Sequence, residues 1–291
     1  MADIKENVMT KIITCVDGSP ITKNVTEAAI WASKKLNKPI SFVHTLEKAQ
    51  QTNIGNYSGS IGIGAHSSLL SEMVALDEQR CKVSLKMADE LLNSVSEHAK
   101  SAGITNFELI KRHGDLLDTV IDFKDEARLF VIGQNGTGHS NSLAVLGSHI
   151  ETLIRNATQP ILLVPETFKQ PTSFMIAYDG RETADKALQQ VIDGGLLHGL
   201  HCHLVSIKNN EEDLEEKFIN AQYKLTSMGF KVSASFLEGN IFDSLMQYKE
   251  QNNVELIVMG AFGHSKLRQF FVGSNTIKML ENSDVPVVIL K

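Results

Sequence analysis

The chain repeats itself. Five segments of the first half recur in the same order in the second, so whatever this sequence folds into must be built twice. KIITCVDGS, ending in Asp17-Gly18-Ser19, matches SFMIAYDGR, ending in Asp179-Gly180-Arg181, and KPISFVHTL (Lys38 to Leu46) matches LHCHLVSIK (Leu200 to Lys208). Further on, ELIKRHGDLLDTVIDF matches SASFLEGNIFDSLMQY, LFVIGQNGTGHSNSLAVLGSHIETLI matches LIVMGAFGHSKLRQFFVGSNTIKML, and QPILLVP matches VPVVILK. Asp17 and Asp179, like Val43 and Val205, lie 162 positions apart, whereas Gly114 and Gly239 lie 125 apart. The first half therefore carries 37 extra residues between its second and third strands, an insertion at about 47–85. Part of it, Asn53 to Ser68, is rich in Gly and Ser and is expected to form a mobile flap. The rest lengthens a helix, roughly Leu69 to Ser101, with Met73, Leu76, Val83, Met87, Leu91 and Val95 at helical spacing.

Each half alternates short apolar strands with amphipathic helices. Ser19-Pro20 reads as an N-cap and first-turn pair before Val25, Ala28, Ala32 and Leu36, a helix that stops near Asn37. Ala184, Leu188 and Val191 mark the equivalent helix, which Gly194-Gly195 ends. Strand–helix repetition of this kind requires right-handed crossovers and a parallel sheet with helices on both faces. The fold expected is α/β: two tandem Rossmann-like domains, 1–168 and 169–291, each with five parallel strands. They meet at the proline-bracketed stretch Pro165 to Thr172.

The last strand-to-helix crossing of each half holds the most specific pattern. In the second half Gly260 and Gly263 are separated by two residues, and nine more precede Gly273 and Ser274. Glycines there let backbone N–H groups turn toward one anion at the helix's positive end, and Ser274 adds a hydroxyl donor. The first half has Gly133, Gly136, Gly147 and Ser148, with ten residues before the third glycine. Between the second and third glycines the second half offers His264, Lys266 and Arg268; the first offers His139 and no Lys or Arg. A polyphosphate is better offset where cations stand nearby, which favours the second half. In an open parallel sheet the ligand crevice lies beyond the carboxyl ends of the strands, where strand order reverses. Asp17 and Asp179 end the first strand of each half, so each half is expected to have one such crevice.

These residues resemble the universal stress protein family, specifically its tandem-domain members, over essentially the whole chain. The family's nucleotide signature (Gly, two residues, Gly, nine residues, Gly, then Ser or Thr) is matched by Gly260, Gly263, Gly273 and Ser274. The resemblance implies a strand order of 3-2-1-4-5 and an ATP site at the ends of the first and fourth strands, with or without Mg²⁺. Carried over by position, Ala177, Asp179 and Val205 would face the adenine. Met259, Gly260, Gly263, His264, Gly273, Ser274 and Asn275 would surround ribose and phosphates. A degenerate second site would comprise Asp17, Val43, Gly133, Gly136, Gly147 and Ser148. The resemblance also implies pairing through fifth strands, which within one chain would join the halves as a pseudo-dimer and leave a homodimer open.

Other features point elsewhere or nowhere. A net charge of −6 gives no footprint for nucleic acid, and no apolar run or leader suggests a membrane, so a cytoplasmic protein is expected. Cys15, Cys81 and Cys202 are too few and too scattered for a disulfide framework. Asp179 could accept from an adenine amino group or a ribose hydroxyl, join a Mg²⁺ shell, or simply cap a turn. His198, His201 and His203 could hold zinc or line a strand entrance. His113 and Asp115 flank a turn glycine. No nucleophile, base and orienting group can be assembled, so binding is better supported than turnover. Three functions remain open: an ATP-dependent stress-response module with an unknown protein partner, a nucleotide-independent scaffold, and a slow ATP hydrolase.

Overall fold

The computed structural model describes residues 11–46, 63–134, 152–154, 156–260, 279–280 and 283–291, the side chains of 63–71 excepted. In chain order the elements of the first half are β1 (Lys11–Cys15), α1 (Thr22–Leu36), β2 (Ile40–Leu46), α2 (Ile63–Ser101), β3 (Phe107–His113), α3 (Leu116–Asp122), β4 (Ala127–Gly133) and β5 (Ile161–Val164). The second half has β6 (Ser173–Ala177), α4 (Glu182–Gly194), β7 (His201–Ile207), α5 (Leu214–Ser227), β8 (Lys231–Leu237), α6 (Ile241–Gln251), β9 (Ile257–Gly260) and β10 (Val287–Leu290).

All ten strands form one sheet, ordered β3-β2-β1-β4-β5-β10-β9-β6-β7-β8. Each half thus has the 3-2-1-4-5 order, parallel throughout. The halves join where β10 runs antiparallel to β5, with Val288 opposite Leu162. ILLV and VVIL are apolar on both faces, so mutual pairing satisfies their backbone groups and removes two edges at once. Because the seam is antiparallel, the carboxyl ends of β1 and β4 lie on one edge of the sheet and those of β6 and β9 on the other.

Two apolar layers sandwich the sheet. One gathers α1, α2, α4 and α5 against strand residues such as Phe42, Leu129, Leu162, Phe174 and Val288, and it is continuous across both halves. The other gathers Val120 of α3, Leu245 and Tyr248 of α6, and Leu153, Ile154, Met279 and Leu280 against Phe130, Met175 and Ile289. The stretch between β5 and β6 is fastened to α1. Phe168 is buried against Trp31, its N–H donates to Asn24 Oδ1 at 3.2 Å, and Asn24 Nδ2 donates to the Glu166 carbonyl at 2.6 Å.

Three local expectations need correction. Ser19 does not cap α1: the helix starts at Thr22 with Ile21 at the cap position, and the Ser19 hydroxyl instead donates to Asp17 Oδ1 at 2.6 Å. Ser19 lies two residues before the cap position, outside the place from which its hydroxyl oxygen would accept from the helix-start amides, and its hydrogen goes to the charged carboxylate. Helix α2 begins at Ile63, so the last residues of the expected flap, Ile63 to Ser68, are helical; the rest of the flap lies outside the described residues. The apolar spacing along α2 does not make one core face either. Val95 is buried and Leu91 packs partly against the core, yet Leu76, Val83 and Met87 are exposed.

Candidate nucleotide site

Beta strands β6 and β9 are neighbours in register, Met175 opposite Ile257 and Ile176 opposite Val258, so both chains leave the sheet at the same edge. That brings Asp179, two residues past β6, and Gly260, the last residue of β9, to the carboxyl ends of neighbouring strands, where a crevice is expected. Ala177 pairs with Val205 on β7, and the Tyr178 N–H donates to the Val205 carbonyl at 2.8 Å, setting Val205 beside them. Met259 and Gly260 are half-buried there. Gly263, His264, Lys266, Arg268, Gly273, Ser274 and Asn275 lie outside the described residues.

The backbone at Gly260 is close to α4. A Cβ there would stand 3.2 Å from Ala187 Cβ and 3.5 Å from the Thr183 carbonyl oxygen, so a side chain at this strand end would push the helix by a few tenths of an ångström. Gly180 takes φ +77°, and a Cβ would meet Leu214 Cδ1 at 2.7 Å and Glu211 Cγ at 3.3 Å. Asp179 uses one oxygen in a turn: Oδ1 accepts from the Arg181 N–H at 3.1 Å, while Oδ2 faces the Arg181 guanidinium at 3.6 Å. Its carbonyl accepts from Asn209 Nδ2 at 3.1 Å. Arg181 also faces Glu211 at 3.8 Å, and Glu211 is held by Lys217 at 3.0 Å. With Arg181 65% exposed, these pairs are weak restraints on a side chain that can swing.

Sequence reasoning used Arg181 only as a landmark and overlooked it as a cation. The signal was present: Asp-Gly is followed by arginine in the second copy and by serine in the first. Tyr178 was missed as well. Its buried hydroxyl donates to Asp185 Oδ1 at 2.7 Å and ties β6 to the first turn of α4. Burial, with that carboxylate, pushes the phenol well above its usual range, so it stays protonated and serves as a fixed strut.

The first half presents a different crevice. Asp17 Oδ1 accepts from the Ser19 N–H at 3.0 Å, the Ser19 hydroxyl at 2.6 Å and the Thr22 hydroxyl at 3.3 Å, which closes it into the loop before α1. The Val16 N–H donates to the Val43 carbonyl at 2.9 Å, and Gly133 pairs with Val164. Gly136, His139, Gly147 and Ser148 lie outside the described residues. Cys15 is held protonated, burial first and then the Asp17 charge raising its pKa to about 12, so it is no ready nucleophile. Cys202 is buried and likewise raised to about 12 by burial.

The histidines do not converge. His198 Nε2 bonds the Ile192 carbonyl at 2.7 Å and its ring lies edge-on to Phe230, within the α1/α4 layer. His201 and His203 stack at 4.5 Å, bonding Ser233 Oγ at 2.9 Å and the Tyr248 hydroxyl at 3.1 Å. Asp115 and Asn240 both cap helices: Asp115 Oδ1 accepts from the Asp118 N–H at 2.7 Å, and Asn240 Oδ1 from the Phe242 and Asp243 N–H groups.

His203 yields a pH prediction. Burial, and secondarily the charge of His201, lower its pKa. The unfolded chain therefore takes up its proton first as pH falls below about 6.5, and stability drops until the folded-state pKa is reached. Melting temperature should fall between roughly pH 7 and pH 5, and His203→Gln should flatten that fall. An unchanged slope in the variant would remove His203 from the account.

A cavity of about 290 Å³ lies elsewhere, on the seam between the halves, lined by Leu36, Leu129, Val191, Leu197 and Leu290 among others. It includes none of the crevice residues named above.

The sequence profile of the universal stress protein family matches residues 9–165 and 205–291. The chain belongs to the universal stress protein family. A universal stress protein of Synechocystis is 29% identical over 287 residues, covering 97% of this chain and 100% of that one. Another from Methanocaldococcus jannaschii is 29% identical over 80 residues, 28% of this chain and 49% of that one. A crystal structure of a universal stress protein from Archaeoglobus fulgidus superposes with a TM-score of 0.70 at 17% identity, covering 97% of this chain and 96% of that one. At that identity the likeness speaks for the fold. Among the described residues no helix is long and apolar enough to cross a membrane.

Proposed function

We propose that this tandem universal stress protein binds an adenine nucleotide, ATP in the first place, in the crevice of its second half, and that occupancy there governs its association with a protein partner in the cytoplasm. The observation that carries the reading is the adjacency of β6 and β9, which brings Asp179 to the start of the glycine segment whose spacing fits the family's nucleotide signature. Asp179 Oδ2 lies beside the Arg181 guanidinium and would suit a ribose hydroxyl or the adenine amino group. Ala177, exposed at the end of β6, would supply an apolar wall for the base, with Val205 fully buried behind it. Phosphates belong on the glycine segment rather than on α4, because α4 opens with Glu182 and Asp185 and faces Glu211. Backbone N–H groups between Gly263 and Asn275, with the Ser274 hydroxyl, Lys266 and Arg268, would hold them. A Mg²⁺ ion, where bound, would share the phosphate oxygens.

Calorimetric titration tests the assignment by variant. Gly263→Ala with Ser274→Ala should weaken ATP binding at least about tenfold, the equivalent of 1.4 kcal/mol. Gly136→Ala with Ser148→Ala should leave it unchanged. Equal losses in the two pairs would defeat the assignment to the second half.

A further inference from the structure

Helix α2 spans 39 residues, about 58 Å at 1.5 Å per residue, and from Glu72 onward only its last part lies on the body of the protein. Its buried positions among these described residues are Ala88, Leu92, Val95, Ser96 and Ala99. Between Glu72 and Met87 every residue is exposed except the half-buried Met73. A helix needs packing on an apolar face for most of its stability, so this length of solvated helix asks for a partner.

The sequence shows what kind. Met73, Leu76, Arg80, Val83 and Met87 recur at intervals of three, four, three and four, the 3.5-residue period of a coiled-coil seam. Leu76, Val83 and Met87 are 55%, 58% and 64% exposed, more than a solvated surface needs to show in one line. At 3.6 residues per turn this line lies roughly 110° round the helix from the Ala88/Leu92/Val95/Ala99 face. It is not the continuation of the face that packs on the sheet, and it serves a different contact.

Charge selects the occupant. Glu72 precedes Met73 and Lys86 precedes Met87, both on one flank of the line. In a two-fold antiparallel pairing centred near Glu78 and Gln79, Glu72 comes opposite Lys86 of the second copy, and Asp77 opposite its Arg80. Met73 then lies beside Val83, and Leu76 beside Arg80, whose stem adds apolar cover while its head stays within 4.0 Å of Asp77. Parallel pairing would set Arg80 on Arg80 and Glu72 against Asp77 of the second copy, like charges that repel. An anionic membrane is a poor alternative, since residues 72–90 hold five acidic side chains against three basic ones. The fifth strands, moreover, are already consumed by the internal seam.

We propose that α2 is an interface at which two copies of this chain join through an antiparallel coiled coil along Met73, Leu76, Arg80, Val83 and Met87. Sedimentation equilibrium of the full chain across the micromolar range is expected to give the mass of two chains. Leu76→Glu with Val83→Glu should raise the dimer dissociation constant about 100-fold or more, with the far-ultraviolet circular dichroism of the sheet retained. Glu72→Lys should weaken the dimer, and Glu72→Lys with Lys86→Glu should restore it. A monomeric parent protein, a dimer indifferent to Leu76→Glu with Val83→Glu, or a charge swap that fails to restore association would each overturn the proposal.

Discussion

Phe174→Ala should lower the stability of the whole chain by about 3–5 kcal/mol, the range for removing a buried aromatic ring. Phe174 sits on β6, fully buried, with its ring edge-on to Phe230 at 6.1 Å. The loss should not be confined to the second half. The layer that contains Phe174 also contains Trp31, Leu129 and Leu162 of the first half, and the sheet itself crosses the seam without a break. Urea unfolding followed by tryptophan fluorescence and by circular dichroism should therefore show one shared transition, displaced as a unit in the variant. Trp31, the single tryptophan, reports on the first half although the substitution is in the second. A variant in which fluorescence holds its midpoint while circular dichroism splits into two steps would mean that the halves fold independently.

Gly180→Ala should cost about 2–4 kcal/mol, against about 1–2 kcal/mol for Gly18→Ala. Both glycines adopt nearly the same left-handed conformation, φ +77° and +79°, so the backbone penalty is common to them. Their surroundings differ. A methyl at Gly180 must displace Leu214, which is buried, and press on Glu211, whereas among the described residues one at Gly18 meets only Leu91 Cδ2 at an ordinary 3.7 Å. The strained turn also holds Asp179, whose Oδ1 accepts from the Arg181 N–H across Gly180, so nucleotide affinity should fall in Gly180→Ala as well. Chemical denaturation of the two variants side by side checks the ordering, and equal losses would contradict it.

Much of this architecture was legible in the residues because the signals were local and came in duplicate. Strand runs such as ILLV and VVIL, buried on both faces, and the helix stop at Asn37, which takes φ +50°, were set by short-range chemistry. Strand order and the seam through β5 and β10 entered through the family resemblance, and the observed sheet has both. What escaped was competition between partners distant in sequence or of equal chemistry. Ser19 could cap a helix or belong to the turn before one, and only the fold put the helix start at Thr22 and Ser19 in the Asp17 turn. The spacing along α2 was correctly helical, but periodicity cannot tell a face that meets the sheet from one that meets another molecule. Arg181 and Tyr178 gained their roles from Glu211 and Asp185, contacts that no motif announces. For the candidate site, the sequence supplied the glycine signature, and the fold added the adjacency of Asp179 and Gly260.

Titration of ATP into the unaltered full-length chain by calorimetry bears most directly on the central claim. One saturable site per chain is the expected result, held by the second half while Asp17 stays closed in its own loop. Two equivalent sites per chain, or heat that never saturates in a folded sample, would contradict it.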